Sequence, residues 1–182
     1  MLFRSETWET AEAYAATKAW TLPAGDGVKT VYAKFADAAG NWSDAVLDII
    51  TLDTTLPGAT PSVIAGTYNG TQTITLTGSE NAVIYYTTDG SDPKTSETRI
   101  QYSDPIMVSQ TATLKYYAVD AAGNVGEVVA ATYTITWPLS VLKNGTGTGV
   151  IASNPAGIAC GDDCVENYLS GSVVALTPTP DK

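Results

Sequence analysis

Val31-Tyr32-Ala33-Lys34-Phe35-Ala36-Asp37-Ala38-Ala39-Gly40-Asn41 aligns without gaps on Leu114-Lys115-Tyr116-Tyr117-Ala118-Val119-Asp120-Ala121-Ala122-Gly123-Asn124. This internal repeat decides how the chain is divided. Asp37 and Asp120 stand 83 positions apart, an offset that marks one structural unit copied along a chain and falls in the size range of a single two-sheet sandwich. Each copy alternates at period 2 and then runs into a turn. Val31, Ala33 and Phe35 in the first copy, and Leu114, Tyr116 and Ala118 in the second, are predicted to face inward. Asp-Ala-Ala-Gly-Asn closes each strand as a hairpin: Gly supplies positive φ, and the Asp and Asn side chains bond to nearby backbone.

Working outward from the second copy, strand-like runs bounded by turn signals fill the chain from about Ala59 to Thr136. Thr71 to Thr77 alternates Thr with Ile74 and Leu76, and Ala82 to Thr88 follows. After the loop Asp89-Gly90-Ser91-Asp92-Pro93 come Ile106 to Val108, Leu114 to Val119 and Val128 to Ile135. Helical periodicity is nowhere sustained. The predicted class is all-β, with tandem immunoglobulin-like or fibronectin III-like sandwiches.

Composition narrows the function. A chain of 182 residues at 44% hydrophobic holds more than one small sandwich core. Nine Lys and Arg stand against 19 Asp and Glu, a formal net charge of −10. That balance speaks against nucleic acid, whose phosphates need clustered cations. The acids form no long runs and read as solvated surface. With no histidine, the commonest general base and metal ligand is missing, and no Ser-His-Asp or Cys-His arrangement can form. No stretch approaches the roughly 18 apolar residues of a spanning helix. Met1 to Glu6 lacks the basic and apolar segments of a signal peptide, so any export signal is expected to lie outside this stretch.

Ile84-Tyr85-Tyr86-Thr87-Thr88-Asp89-Gly90-Ser91-Asp92-Pro93, then Tyr102, Pro105-Ile106 and Leu114-Lys115-Tyr116-Tyr117-Ala118, occur in order. This series resembles the chitobiase/β-hexosaminidase C-terminal-type domain over about residues 57–136. The resemblance implies an Ig-like sandwich in an extracellular bacterial setting. It does not imply glycosidase activity, because the enzyme that names the family keeps its catalytic residues in another domain. Trp20-Thr21-Leu22, Gly25-Asp26-Gly27, Lys29-Thr30-Val31-Tyr32 and Ala38 to Ser43 resemble the end of a bacterial Ig-like repeat with its first strands missing. Such a module is expected to leave an unpaired edge that invites association with another chain. Past Trp137-Pro138, a Gly, Thr and Asn-rich stretch with Leu139 to Val141, Gly145 to Val150, Pro155 to Ile158 and Ser172 to Leu176 resembles the small β-repeat related to internalin B-type repeats, without its final strands.

The expected organisation is therefore a truncated Ig-like module over 1–53, a complete module over 54–137 and a partial β-repeat over 138–182. Asp53 to Pro57 and Trp137-Pro138 are read as linkers. The modules are expected to be non-catalytic spacers or adhesive elements of a large secreted or surface-anchored bacterial protein, beside flanking modules of the same parent. The alternative is a carbohydrate-binding accessory module of a secreted hydrolytic enzyme.

Candidate chemistry is sparse. Cys160-Gly161-Asp162-Asp163-Cys164 has no further Cys or His to complete a zinc site. It reads as a local disulfide, with free or reactive thiols as the alternative, and a disulfide implies an oxidising compartment. Glu80, Asp89, Asp92, Glu97 and Asp104 are weighed as a glycosidase acid and base, but Asp89 and Asp92 sit where Asp shapes a turn, and no catalytic residue is assigned. No cofactor is expected apart from structural calcium, with Asp53, Asp120, Asn124 and Glu80 as the oxygen donors. Against it, Asp and Asn also serve simply to shape the turn. Among the aromatic residues, which include Trp8, Trp20, Trp42 and Trp137, Tyr85 and Tyr117 lie opposite the inward face and are the expected exposed residues for stacking on a polysaccharide or other cell-surface ligand.

Overall fold

The computed structural model describes residues 2–4, 7–79 and 81–181. The described residues are all-β and contain no helix. The chain separates into two compact units, Met1–Leu56 and Pro57–Lys182.

In the first unit, β1 (Leu2–Arg4), β2 (Gly27–Lys34) and β3 (Val46–Leu52) form an antiparallel sheet in that order. The predicted turn follows β2. Asp37 Oδ1 accepts the Ala39 and Asn41 N–H groups at 2.9 Å each, Asn41 Nδ2 donates to Asp37 Oδ2 at 2.9 Å, and Gly40 has φ 87°. The inward positions come out differently from expectation. No side chain described in this unit is fully buried; Val31 and Ala33 are half-buried and Phe35 is exposed. A sheet buries a face only against a second layer, and no second sheet covers this one among the described residues.

The second unit contains β4 (Ala59–Pro61), β5 (Gly66–Asn69), β6 (Gln72–Ile74), β7 (Leu76–Gly78), β8 (Val83–Thr87), β9 (Ile100–Gln101), β10 (Ile106–Val108), β11 (Ala112–Val119), β12 (Val129–Ser140), β13 (Gly149–Asn154), β14 (Val165–Leu169) and β15 (Ala175–Pro180). One layer of the sandwich pairs β4 with β7 and β6 with β10. β6 and β7 are halves of one strand parted at Thr75, whose N–H donates to Ser62 Oγ at 2.9 Å and whose carbonyl accepts the Ser62 N–H at 2.8 Å. The other layer runs β9-β8-β11-β12, with β5 added parallel to β12. The chain thus opens in one sheet at β4 and crosses to the other at β5, which ties the two layers together.

Period-2 alternation builds the core between the layers. Ile74, Leu76, Ile84, Ile106, Val108, Leu114, Tyr116, Ala118, Ala131, Tyr133 and Ile135 form one buried cluster. Leu114, Tyr116 and Ala118 point inward as the sequence predicts. Tyr133 is fully enclosed, and its hydroxyl is satisfied by donating to the Val63 carbonyl at 2.7 Å. At one end of the sandwich the β11–β12 hairpin meets the start of the unit so closely that a Cβ on Gly126 would fall 2.0 Å from the Pro57 carbonyl oxygen. Only glycine fits there.

β12 does not stop at Ile135. It continues to Ser140, and its last part pairs antiparallel with β14, Thr136 opposite Leu169 through Ser140 opposite Val165. Trp137-Pro138, read above as a linker, is strand. The proline is tolerated because this part of β12 has a partner on one side only, where a missing N–H need not cost a ladder bond. β13 and β15 pair antiparallel as a separate two-stranded sheet. Cys160 and Cys164 form the expected disulfide, with Cys160 fully buried.

The core predicts its own mutational pattern. Leu114→Ala, at 0% exposure, should cost about 2–5 kcal/mol by urea unfolding. Met107→Ala, 73% exposed between Ile106 and Val108, should stay within about 0.5 kcal/mol.

Candidate functional site

The same alternation that sends Leu114 and Tyr116 inward sends Lys115 and Tyr117 to the outer face of the β8–β11 pair. Register places Tyr117 opposite Tyr85 and Lys115 opposite Thr87, with Gln101 of β9 on the far side of Tyr85. The Tyr85 and Tyr117 rings stack at 5.5 Å between centroids, inclined by 24°. Cross-strand aromatic pairs of this kind contribute to sheet stability.

The connection from β8 to β9 folds back over this face. Asp89 organises it: Oδ1 accepts the Ser91 hydroxyl at 2.5 Å and the Ser91 N–H at 2.9 Å, and Oδ2 accepts the Thr98 hydroxyl at 2.8 Å. Ser96 Oγ lies 2.9 Å from Ser91 Oγ and 2.7 Å from Thr98 Oγ1, closing the network. These donors, the Ser91 hydroxyl first, hold the Asp89 carboxyl down to about 2. Asp92 forms the next turn. Its Oδ1 accepts the Lys94 N–H at 2.8 Å, and its carbonyl accepts the N–H groups of Thr95 and Ser96. Thr87 Oγ1 donates to the Ser91 carbonyl at 2.8 Å.

Two cations complete the cover. The Arg99 guanidinium lies 4.9 Å from the Tyr85 centroid, and its Nη1 donates to the Tyr117 hydroxyl at 3.2 Å. Lys94 Nζ lies 5.6 Å from the Tyr117 centroid. Both contacts fall within cation–π range. Thr87 and Pro93 are consequently fully buried, Tyr85 is half-buried, and Tyr117 retains only 5% exposure.

The outcome for the predicted residues is mixed. Tyr85 and Tyr117 share the outer face and touch, but Tyr117 is not an exposed platform, because the 88–99 loop, longer than a tight turn, folds onto it. Asp120 and Asn124 meet within the β11–β12 turn, where Asn124 donates to Asp120 through its backbone N–H and through Nδ2 at 2.8 Å each. Burial pushes the Asp120 carboxyl up, but the Asn124 side chain and the turn N–H groups outweigh it and hold the group below its ordinary value. Asp53 belongs to the first unit, and Glu80 lies outside the described residues. Among the described residues no three His, Cys, Asp or Glu side chains gather as a metal site. Of the remaining acids, Asp104 accepts the Ser103 hydroxyl at 2.8 Å and Glu97 is exposed. Arg99 and Lys94, the cations that define this face, were not anticipated. Their signal was position: both lie on the loop between two paired strands.

Residues 63–132 match the family model of the chitobiase/beta-hexosaminidase C-terminal domain. The central sandwich is therefore similar to that domain, and the match includes β8, the folded-back loop and β11 together. No curated protein and no solved structure matches the chain.

Asp89 makes the loop acid-sensitive in a defined direction. Its folded value lies below its unfolded one, so its stabilising effect is complete above the ordinary carboxylate range and fades as pH falls through about 2. In Asp89→Ala the loop should be loosened already at neutral pH, and trypsin should cut after Lys94 or Arg99 several-fold faster than in the unsubstituted chain. Equal cleavage would show that Asp89 does not hold the loop.

Proposed function

We propose that this chain is a non-catalytic stretch of β-modules, acting as a spacer or adhesive stalk within an exported bacterial protein. The observation that carries the reading is how the central module uses its polar groups. The carboxylates and hydroxyls of Asp89, Ser91, Asp92, Ser96 and Thr98 are engaged with their own loop, and the fully buried Thr87 also bonds to that loop. Catalysis by acid and base needs groups held toward a substrate instead. The Cys160–Cys164 disulfide supports an oxidising, extracytoplasmic setting. Repeated Asp-Ala-Ala-Gly-Asn turns with the same hydrogen bonding at Asp37 and Asp120 support a modular build.

A second reading, an accessory module of a carbohydrate-active enzyme, is favoured by the description of the family matched over residues 63–132. In both readings any hydrolytic activity resides outside this chain.

Chromogenic N-acetylglucosaminides and chitin oligomers, incubated with the purified chain, should show no turnover above buffer. Saturable turnover that tracks the chain through purification and drops in Asp89→Asn or Asp104→Asn would overturn the non-catalytic reading.

A further inference from the structure

The face of β8 and β11 gathers an unusual share of the chain's few cations. Of nine Lys and Arg in the chain, three lie here: Lys115 on β11, Lys94 above Tyr117 and Arg99 above Tyr85. Among the described residues none of the three forms an ion pair; the ion pairs present are those of Lys18 with Glu9 and Glu12. The loop carboxylates of Asp89 and Asp92 accept neutral donors within the loop instead. Among the described residues, Arg99 is held in place by stacking on Tyr85 and by its bond to Tyr117. Its exposed guanidinium keeps its remaining donors for a planar, two-oxygen acceptor.

We propose that this face binds an acidic polysaccharide, with uronate carboxylates meeting Arg99, Lys94 and Lys115. The inference goes beyond the spacer reading and does not depend on it. Arg99 and Lys94 sit over neighbouring rings 5.5 Å apart, which suits charges repeated along an extended polymer better than one isolated anion. Exposed Gln101, the register partner of Tyr85, adds amide donors and an acceptor for sugar hydroxyls. A nucleic acid carries a denser charge, and three cations on a chain of net charge −10 are a poor match for it. A polymer with one carboxylate per sugar is a better match, because at physiological salt charges beyond about 8 Å are largely screened, so the three cations act against the loop's own Asp89, Asp92 and Glu97, of which Asp89 and Asp92 are turned toward donors within the loop.

The net charge sharpens the test, since non-specific binding of an acidic chain to an acidic polymer is disfavoured. The full chain should be retained saturably on immobilised polygalacturonate at low salt, and released as salt rises. Chitin and cellulose should retain it far less. Lys94→Gln/Arg99→Gln should weaken binding by about tenfold or more, while Lys29→Gln, in the first unit, should leave it unchanged. Absence of retention on polygalacturonate, equal retention on the neutral polymers, or undiminished binding by the double variant would each overturn the proposal. If the double variant fails to fold, Lys115→Gln decides: several-fold weaker binding supports the site, and unchanged binding overturns it.

Discussion

The alternation of β11 is the constraint from which the central module follows. Leu114, Tyr116 and Ala118 face one way and Lys115 and Tyr117 the other, and because the side-chain period is 2, a one-residue slip would exchange the two sets. The inward set closes the hydrophobic core with the facing β6, β7 and β10. The outward set gives the 88–99 loop something to fold onto. One strand therefore fixes both the interior and the character of the surface on which the functional argument rests.

That loop is a second, small layer laid over the sheet. Thr87 is buried beneath it, the loop's own Pro93 is fully buried, Asp89 gathers three donors, and Arg99 and Lys94 lie over the tyrosine pair. Aromatic rings that would otherwise form an open stacking surface become the floor under two cations. In the proposal made here, this cover shifts the recognition chemistry of the face from ring stacking on a neutral glycan toward charge on an acidic one.

Much of this was legible in the residues. The Asp37 and Asp120 turns announced themselves through Gly and paired Asp and Asn, and both fold with the same hydrogen bonds. The inward face of β11 and the disulfide were also readable. Three features escaped for physical reasons. β14 escaped because Val165-Glu166-Asn167-Tyr168-Leu169 has no clean apolar face, and its pairing with β12 is set by tertiary contact. Proline masked the continuation of β12 through Trp137-Pro138. The cover over Tyr117 escaped because period-2 reasoning assigns a face but does not say what a long loop will lay upon it.

Amide hydrogen exchange on the intact chain tests the central claim most directly. If the loop is folded onto the sheet, the N–H groups of Ser91, Lys94 and Ser96, bonded to Asp89 Oδ1, Asp92 Oδ1 and the Asp92 carbonyl, should exchange far more slowly than those of an open loop, with β8 and β11 slower still. Exchange of these loop amides at the rate of unstructured chain, beside a protected β11, would contradict the account and leave Tyr117 an open platform after all.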